Sequence, residues 1–136
     1  MGKLYNLKLD NPLGYIEEHV ALSQFTDGGT AAGTYQMQHA IPVGAHVEAT
    51  IVTNVVAFAG DTSAVITVGD GSDVDRYNPG TPSVFSSAAA VSMGVPSGTR
   101  GHAAAVRPTI TLTSASDFGS ITGGEFDIRI VYLKGM

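Results

Sequence analysis

The chain lacks cysteine and tryptophan altogether, although it has 136 residues. Without cysteine there is no disulfide framework, no thiolate nucleophile and no cysteine-based zinc or iron–sulfur site. Without tryptophan, and with aromatic residues at only 7% of the sequence, few rings are available for stacking on a sugar. The absence of cysteine excludes cysteine-dependent enzymes and metal sites with cysteine ligands. The absence of tryptophan counts against a carbohydrate-binding module.

Charged residues are also scarce, at 14% of the sequence against about 25% in a typical globular domain. Twelve acidic and seven basic side chains give a net charge of −5, whereas nucleic-acid binding needs a basic surface. Hydrophobic residues reach an ordinary 43%, so Gly, Ala, Ser and Thr replace the missing charges. This composition predicts a neutral surface of small side chains, partly covered by neighbouring subunits, and no nucleic-acid partner.

Long apolar runs are missing as well. The longest of them, such as 55–59, fall far short of the about 20 residues that span a bilayer. Residues 1–10 alternate polar and apolar side chains and lack the continuous apolar core of a signal peptide. We therefore expect no membrane partner, and synthesis in a cytoplasm.

Alternation of polar and apolar residues is the dominant pattern, and it predicts β-strands. The clearest case is 124–133, whose even-numbered residues from Phe126 to Tyr132 are apolar and predicted to face inward. Residues 46–68 are interpreted as a hairpin with its turn at 60–62. Further strands are predicted at 20–25, 33–42 and 107–113.

About seven to nine strands, with turn signals roughly every 8–12 residues, favour an all-β fold. The expected architecture is a single antiparallel β-sandwich domain of jelly-roll type, formed by residues 19–136. Residues 1–18 are predicted to form an extended N-terminal arm. Residues 69–106, rich in Gly, Pro, Ala and Ser, are predicted to form a long loop, and a loop of that length is often functional.

Two groups of side chains have the composition of a metal site. His39 and His46 flank a turn and could hold a metal together with a carboxylate, but we favour two imidazoles at strand ends near the surface. A Gly- and Ser-rich loop carries three carboxylates, Asp70, Asp73 and Asp75. It departs from the EF-hand pattern because Thr81 replaces the bidentate glutamate. We favour Asx turns at Asp70 and Asp73 and an ion pair between Asp75 and Arg76, and we expect no metal and no cofactor.

Catalytic motifs are absent from the sequence. It contains no Gly-x-Ser-x-Gly nucleophile elbow and no Walker or Rossmann glycine pattern. Serine, histidine and aspartate all occur, but no spacing brings them together as a triad. We expect no catalytic residues and no enzymatic activity.

Three stretches carry a resemblance to known proteins: IPVGAHV at 41–47, VITVGDGSDVDRY at 65–77 and PTITLTSASDF at 108–118. Together they resemble small structural proteins of tailed bacteriophages, and in particular the capsid decoration, or cement, proteins. The resemblance implies an all-β body that is often trimeric and lies at three-fold positions of the capsid. It also implies an arm that touches capsid subunits, and no catalytic residue.

We therefore expect a structural virion protein, made in the bacterial host cytoplasm, that binds the outside of the head. Its expected partners are the major capsid protein and copies of itself, as a homotrimer. The predicted contact residues are Leu4, Tyr5, Leu7 and Leu9 in the arm and Arg76, Tyr77 and Arg100 in the loop. The four arm residues fit an ordinary first strand of the body equally well. Two alternatives stay open: a tail or head–tail component, and a carbohydrate- or cell-surface-binding module.

Overall fold

The computed structural model describes residues 12–78, 91–92 and 102–134. Eight strands lie within these ranges: β1 (Leu13–Ala21), β2 (Thr26–Asp27), β3 (Ala32–Gln36), β4 (His46–Ala59), β5 (Ala64–Gly69), β6 (Val91–Ser92), β7 (Thr109–Ser114) and β8 (Gly123–Leu133). Two single-turn 3-10 helices, Leu22–Gln24 and Phe118–Ser120, complete the regular structure. In this part of the chain, no helix has the length and apolar content that crossing a membrane would need.

The strands form two four-stranded sheets in which every pairing is antiparallel. Sheet A has the strand order β1-β8-β4-β6, and sheet B has the order β2-β3-β7-β5. Apolar side chains from both sheets form one core cluster. The predicted all-β sandwich is thereby confirmed, while its jelly-roll connectivity stays a prediction.

The predicted hairpin over residues 46–68 is wrong, although the strands themselves are correct. β4 lies in sheet A between β8 and β6, whereas β5 lies in sheet B beside β7. Between them the chain crosses from one sheet to the other at Gly60, whose φ is 105°. A Cβ at Gly60 would overlap the carbonyl of Ser120, so only glycine fits the crossing. A turn signal marks a change of direction, but it does not tell a hairpin from a connection between sheets.

The boundary of the predicted arm also differs from the structure. Residues 13–18 belong to β1, which pairs with β8 along its whole length, from Leu13 opposite Leu133 to Ala21 opposite Glu125. Residues 1–11 lie outside the described residues. Of the predicted loop, Gly69 ends β5, and residues 91–92 form β6 beside β4.

The inward-facing apolar side chains, at alternate positions of the strands, fill the space between the two sheets. In β8, Phe126, Ile128 and Ile130 are fully buried, as predicted, and Tyr132 packs half-buried against the same core. The Phe126 ring lies 5.9 Å from that of Phe58 on β4, centroid to centroid. Burying one such side chain contributes about 1.5–3 kcal/mol. The outward residues of β8 are the ones that shape the site described next.

Candidate functional site

Most of the predicted contact residues lie outside the described residues: Leu4, Tyr5, Leu7, Leu9 and Arg100. Of the other two, Arg76 is largely buried and its guanidinium donates to the carboxylate of Asp70 at 2.8 Å. Tyr77 is fully buried. A contact role for Tyr77 is therefore wrong, because a side chain in the core cannot reach a partner.

Tyr77 instead belongs to a buried hydrogen-bonded chain. The Nδ1 atom of His102 lies 2.8 Å from the carbonyl oxygen of Ala45, and since a carbonyl only accepts, Nδ1 carries the hydrogen. Nε2 then accepts from the Tyr77 hydroxyl at 2.9 Å. Burial raises the pKa of Tyr77 to about 12, so the phenol stays a donor. Tyr77 is not part of an apolar alternation, so no local pattern in the sequence indicates that it is buried.

The aspartate loop has the turn chemistry that we favoured. The Asp70 carboxylate accepts from the backbone N–H groups of Ser72 at 2.9 Å and Asp73 at 2.8 Å. The hydrogen bond from Asp73 and the nearby Arg76 lower the pKa of Asp70 to about 2, against the opposing effect of burial. The predicted pair between Asp75 and Arg76 is wrong, since Arg76 binds Asp70. Within the described ranges, no three His, Asp or Glu side chains come close enough to hold a metal ion.

A charged surface forms where the outward residues of β1 and β8 lie side by side. The register places Glu17 opposite Arg129, and the guanidinium binds the Glu17 carboxylate through Nε at 2.7 Å and Nη2 at 2.6 Å. The same guanidinium lies 4.6 Å from the centre of the Tyr15 ring, which is 58% exposed as a residue. The Arg129 side chain is thus fixed between a carboxylate and an aromatic face.

His19 continues this surface two residues further along β1. It lies opposite Asp127, with Nδ1 2.7 Å from one Asp127 oxygen and Nε2 3.4 Å from Glu125. The other Asp127 oxygen accepts from the amide of Asn54 at 2.9 Å. Asn54 has a φ of 52° and lies at an irregularity of the β4–β8 ladder, and a bulge of this kind re-aims side chains.

The pKa values of this cluster follow from its hydrogen bonds. The bond to Asp127 raises the pKa of His19, and the Asn54 amide together with His19 lowers the pKa of Asp127. Both nitrogens of the imidazole face carboxylates, so neither is available to activate a serine hydroxyl. The cluster can bind a charged or polar partner, but it does not have the geometry of a nucleophilic triad.

A groove runs beside β1, between the edge of sheet A and sheet B. Its volume is about 290 Å³, and it is lined by Glu17, Glu18, His19, Gln24, Tyr35, Gln38 and His39. The Glu18 carboxylate forms its floor, with a side chain only 7% exposed. One Glu18 oxygen accepts from the Tyr35 hydroxyl at 2.6 Å, and the other accepts from the His39 backbone N–H at 2.7 Å and lies 2.9 Å from His39 Nδ1. Glu18 therefore links the two sheets.

The environment of Glu18 holds it ionised. Burial alone would raise the pKa of Glu18, but the hydrogen bonds from Tyr35 and His39 outweigh burial and lower it. Burial and the hydrogen bond to Glu18 raise the pKa of Tyr35 to about 12. Sequence reasoning missed this link because Glu18 was assigned to the arm and its partners lie 17 and 21 residues away. His39, which we considered for a metal site, contacts Glu18 instead.

Replacing Glu18 with glutamine is expected to lower the free energy of unfolding by about 1–3 kcal/mol near pH 6, because hydrogen bonds to a charge become neutral ones. The folded pKa of Glu18 lies below its ordinary value of 4.5, so its stabilising effect is present above that value. It is lost as the pH falls through the folded pKa. Urea unfolding at pH 6 and pH 3 should therefore show the gap between native and Glu18→Gln protein closing in acid.

Glu17→Gln is the matched control, since Glu17 is the neighbouring residue but its pair with Arg129 is solvent-exposed. Exposed pairs contribute about 0–1 kcal/mol. An unchanged gap between native and Glu18→Gln protein across this pH range would show that the Glu18 carboxylate does not stabilise the fold as a charge.

Comparison with known proteins gives structural neighbours only. No protein-family model matches the chain, and no curated protein matches it. A chain of the cyanophage Pam1 capsid asymmetric unit is similar, with a TM-score of 0.55 and 20% identity over 89% of this chain and 84% of that one.

Two weaker matches fall below the level that establishes a shared fold. A low-affinity xylan-binding module from Roseburia intestinalis has a TM-score of 0.49 and 10% identity, covering 85% of this chain and 94% of the module. A family two carbohydrate esterase from Cellvibrio japonicus has a TM-score of 0.32 and 10% identity, covering 90% of this chain and 35% of the esterase. The chain thus shares its fold, over most of its length, with a chain of the Pam1 capsid asymmetric unit.

Proposed function

We propose that this chain is a structural virion protein that binds the outside of a bacteriophage head and stabilises the major capsid lattice, as a decoration protein. The observation that carries the proposal is the likeness to a chain of a phage capsid asymmetric unit, which extends over 89% of this chain and 84% of the other. Because the match covers most of both chains, it extends over the whole sandwich rather than over one motif.

The physical properties of the chain suit such a role. A protein that binds the assembled lattice but not its dissociated subunits stabilises the lattice by linkage. Contacts that are weak singly become strong together when the lattice repeats them at fixed spacing. The sandwich supplies a rigid body, and the β1–β8 surface supplies ordered charged groups on its outside. The proposed partners are the major capsid protein and copies of this chain, and the proposed location is the capsid surface, after synthesis in the host cytoplasm.

The rival role as a carbohydrate-binding module has less support in the site. Stacking on a sugar needs an open aromatic face. The Arg129 guanidinium covers one face of the exposed Tyr15 ring, Tyr77 is in the core, and the Tyr35 hydroxyl is bonded to Glu18. We likewise propose that the chain is not an enzyme, since the carboxylates around His19 occupy both of its nitrogens.

The test is the copy number of this chain in purified source virions, measured against the major capsid protein by quantitative mass spectrometry. A lattice-wide decoration protein is expected at about one copy, or about one third of a copy, per capsid subunit. A handful to a few dozen copies per particle would instead indicate a tail, portal or vertex component. Absence from the virion would overturn the structural role, and a glycan array would then test the sugar-binding alternative.

A further inference from the structure

The groove beside β1 holds a buried negative charge on its floor. The Glu18 side chain is only 7% exposed, and its hydrogen bonds keep the pKa of its carboxyl below the ordinary value, so it is ionised at neutral pH. Charged side chains that proteins bury are normally paired with an opposite charge. Among the described residues, the ion-pair partner of Glu18 is His39 alone, which is a cation only when protonated. Beside a neutral His39, the buried charge therefore has no cation against it in this part of the chain.

The arginines of the same region are engaged with other groups. Arg129 is bound to Glu17. Arg107 donates through Nε to the Met37 carbonyl at 2.7 Å, and within the described ranges it forms no ion pair. The described residues that line the groove include two glutamates but neither lysine nor arginine. A cation that enters the groove thus meets no competing positive side chain on its walls while the imidazoles are neutral.

The groups that line the groove keep open capacity to accept hydrogen bonds. One Glu18 oxygen accepts from the Tyr35 hydroxyl, and a carboxylate oxygen has room for two such bonds. A carboxylate cannot donate, so the His39 Nδ1 beside it carries the hydrogen, and Nε2 of the neutral ring is then an acceptor. The exposed Gln38 side chain adds an amide oxygen. Carboxylate, imidazole and amide acceptors are the partners that the three N–H donors of a protonated amine require.

The existing bonds of Glu18 favour an ammonium group over a guanidinium. A guanidinium binds a carboxylate best through two parallel hydrogen bonds, but Tyr35 and His39 already bond to one Glu18 oxygen each. An ammonium is compact and needs one open position only. The groove volume of about 290 Å³ is at the lower limit of small-molecule sites, which hold about 300–1,000 Å³. It suits one side chain, whose methylene stem can lie along the Tyr35 ring.

We propose that the groove beside β1 is a docking site for a lysine side chain of a partner protein, with Glu18 as the counter-ion of the ammonium group. Glu17 and His19 line the groove and also belong to the charged surface of β1 and β8. A protein that inserts a lysine here therefore covers that surface as well. Its further contacts add to an ammonium–carboxylate contact that is weak alone. The site is a property of the folded chain and does not rest on the proposed virion role.

Titration of the full chain with Nα-acetyl-lysine N-methylamide, followed by amide NMR, tests the site directly. We expect saturable shifts at Gln38 and His39, with a dissociation constant of about 1–10 mM. The same compound acetylated on Nζ keeps the stem but loses the charge, and it should cause no saturable shift. The arginine analogue should bind at least about threefold more weakly. Butylamine, which offers the same ammonium without a peptide backbone, should bind no more tightly than the lysine compound.

Two variants with the same change in net charge separate Glu18 from acidity in general. Glu18→Gln keeps the shape of the side chain and removes its charge, so it should raise the dissociation constant of the lysine compound at least about tenfold. Glu48→Gln is the matched control, since Glu48 is exposed and lies outside the groove. It should change the dissociation constant less than about threefold.

The compounds on the unmodified chain decide the question even if Glu18→Gln fails to fold. The proposal is overturned if the lysine compound causes no saturable shift at Gln38 and His39, or if its Nζ-acetylated form binds as tightly. It is also overturned if folded Glu18→Gln binds the lysine compound as tightly as Glu48→Gln does. Tighter binding of the arginine analogue would overturn the choice of an ammonium, and tighter binding of butylamine would assign the groove to a free amine rather than to a protein.

Discussion

Deleting residues 1–10 is expected to leave a folded, β-rich protein that binds capsids about a hundredfold more weakly. Folding should survive because the buried hydrophobic residues of the described core all lie at Ile16 or later, and β1 keeps Pro12 and its bond to Lys134. Binding should fall because the deletion removes the predicted anchor residues. The contacts of these residues with the capsid are weak singly and become strong together only when the lattice repeats them. Co-sedimentation with capsids and far-ultraviolet circular dichroism measure the two effects.

A full-length variant separates the side chains of this segment from its length. Its four predicted anchor residues become serine: Leu4→Ser, Tyr5→Ser, Leu7→Ser and Leu9→Ser. We expect most of the loss of binding to be reproduced, since the apolar contacts go while the backbone stays. Loss of the folded state after deletion would show that the segment belongs to the core. The prediction that it forms an arm would then be wrong. Undiminished capsid binding by both folded variants would place the anchor elsewhere.

The strands that sequence patterns predict well have either a clean inner and outer face or a long run of β-branched residues. β8 has buried residues at every second position from Phe126 to Ile130, and its predicted span of 124–133 differs from the structure by one residue. β4 begins and ends where it was expected, at His46 and Ala59. In β8 the burial of apolar side chains leaves a period of two in the sequence. The buried residues of β4 are unevenly spaced because of its bulges: Val47, Thr50, Val52, Val55 and Phe58. β4 is predicted instead by its long run of β-branched residues.

β1 escaped prediction because its inner face is not wholly apolar. Ile16 and Val20 face the core, but between them the inward position holds Glu18, whose charge is stabilised by Tyr35 and His39. A charged residue at an inner position breaks the pattern that marks a strand. Its partners are distant in sequence, so no local signal indicates that the charge is satisfied.

The charged surface of β1 and β8 was not predicted for the same reason, because its residues meet partners that are distant in sequence. Outward residues Glu125, Asp127 and Arg129 are visible in the alternation of β8, but their partners come from β1, more than a hundred residues away. Register between strands of such separation is set by the packing of the whole sheet. The sequence predicts that charged side chains lie outward; only the fold shows that Glu17 meets Arg129 and that His19 meets Asp127.

Gly124→Ala is expected to lower the free energy of unfolding by about 2–4 kcal/mol, through overpacking and an unfavourable backbone angle. Gly124 has a φ of 141°, which side chains other than hydrogen rarely tolerate. A Cβ there would overlap the ring of Phe58, which is fully buried and cannot move away without disturbing Phe126. Urea unfolding at neutral pH measures the loss.

Gly123→Ala is the control, since it adds the same methyl group one residue earlier in β8, where nothing lies within 4 Å of the added atom. Its effect should stay within about 0.5 kcal/mol. Near Gly124 the β4–β8 ladder shifts register twice, between Thr53 and Val56 and between Val56 and Ala59, so glycine lets the strand follow a bent partner. Because that bend also positions Asn54 against Asp127, Gly124→Ala should change the His19 imidazole resonances as well. Equal destabilisation by the two alanines would show that the close approach to Phe58 is not what requires glycine.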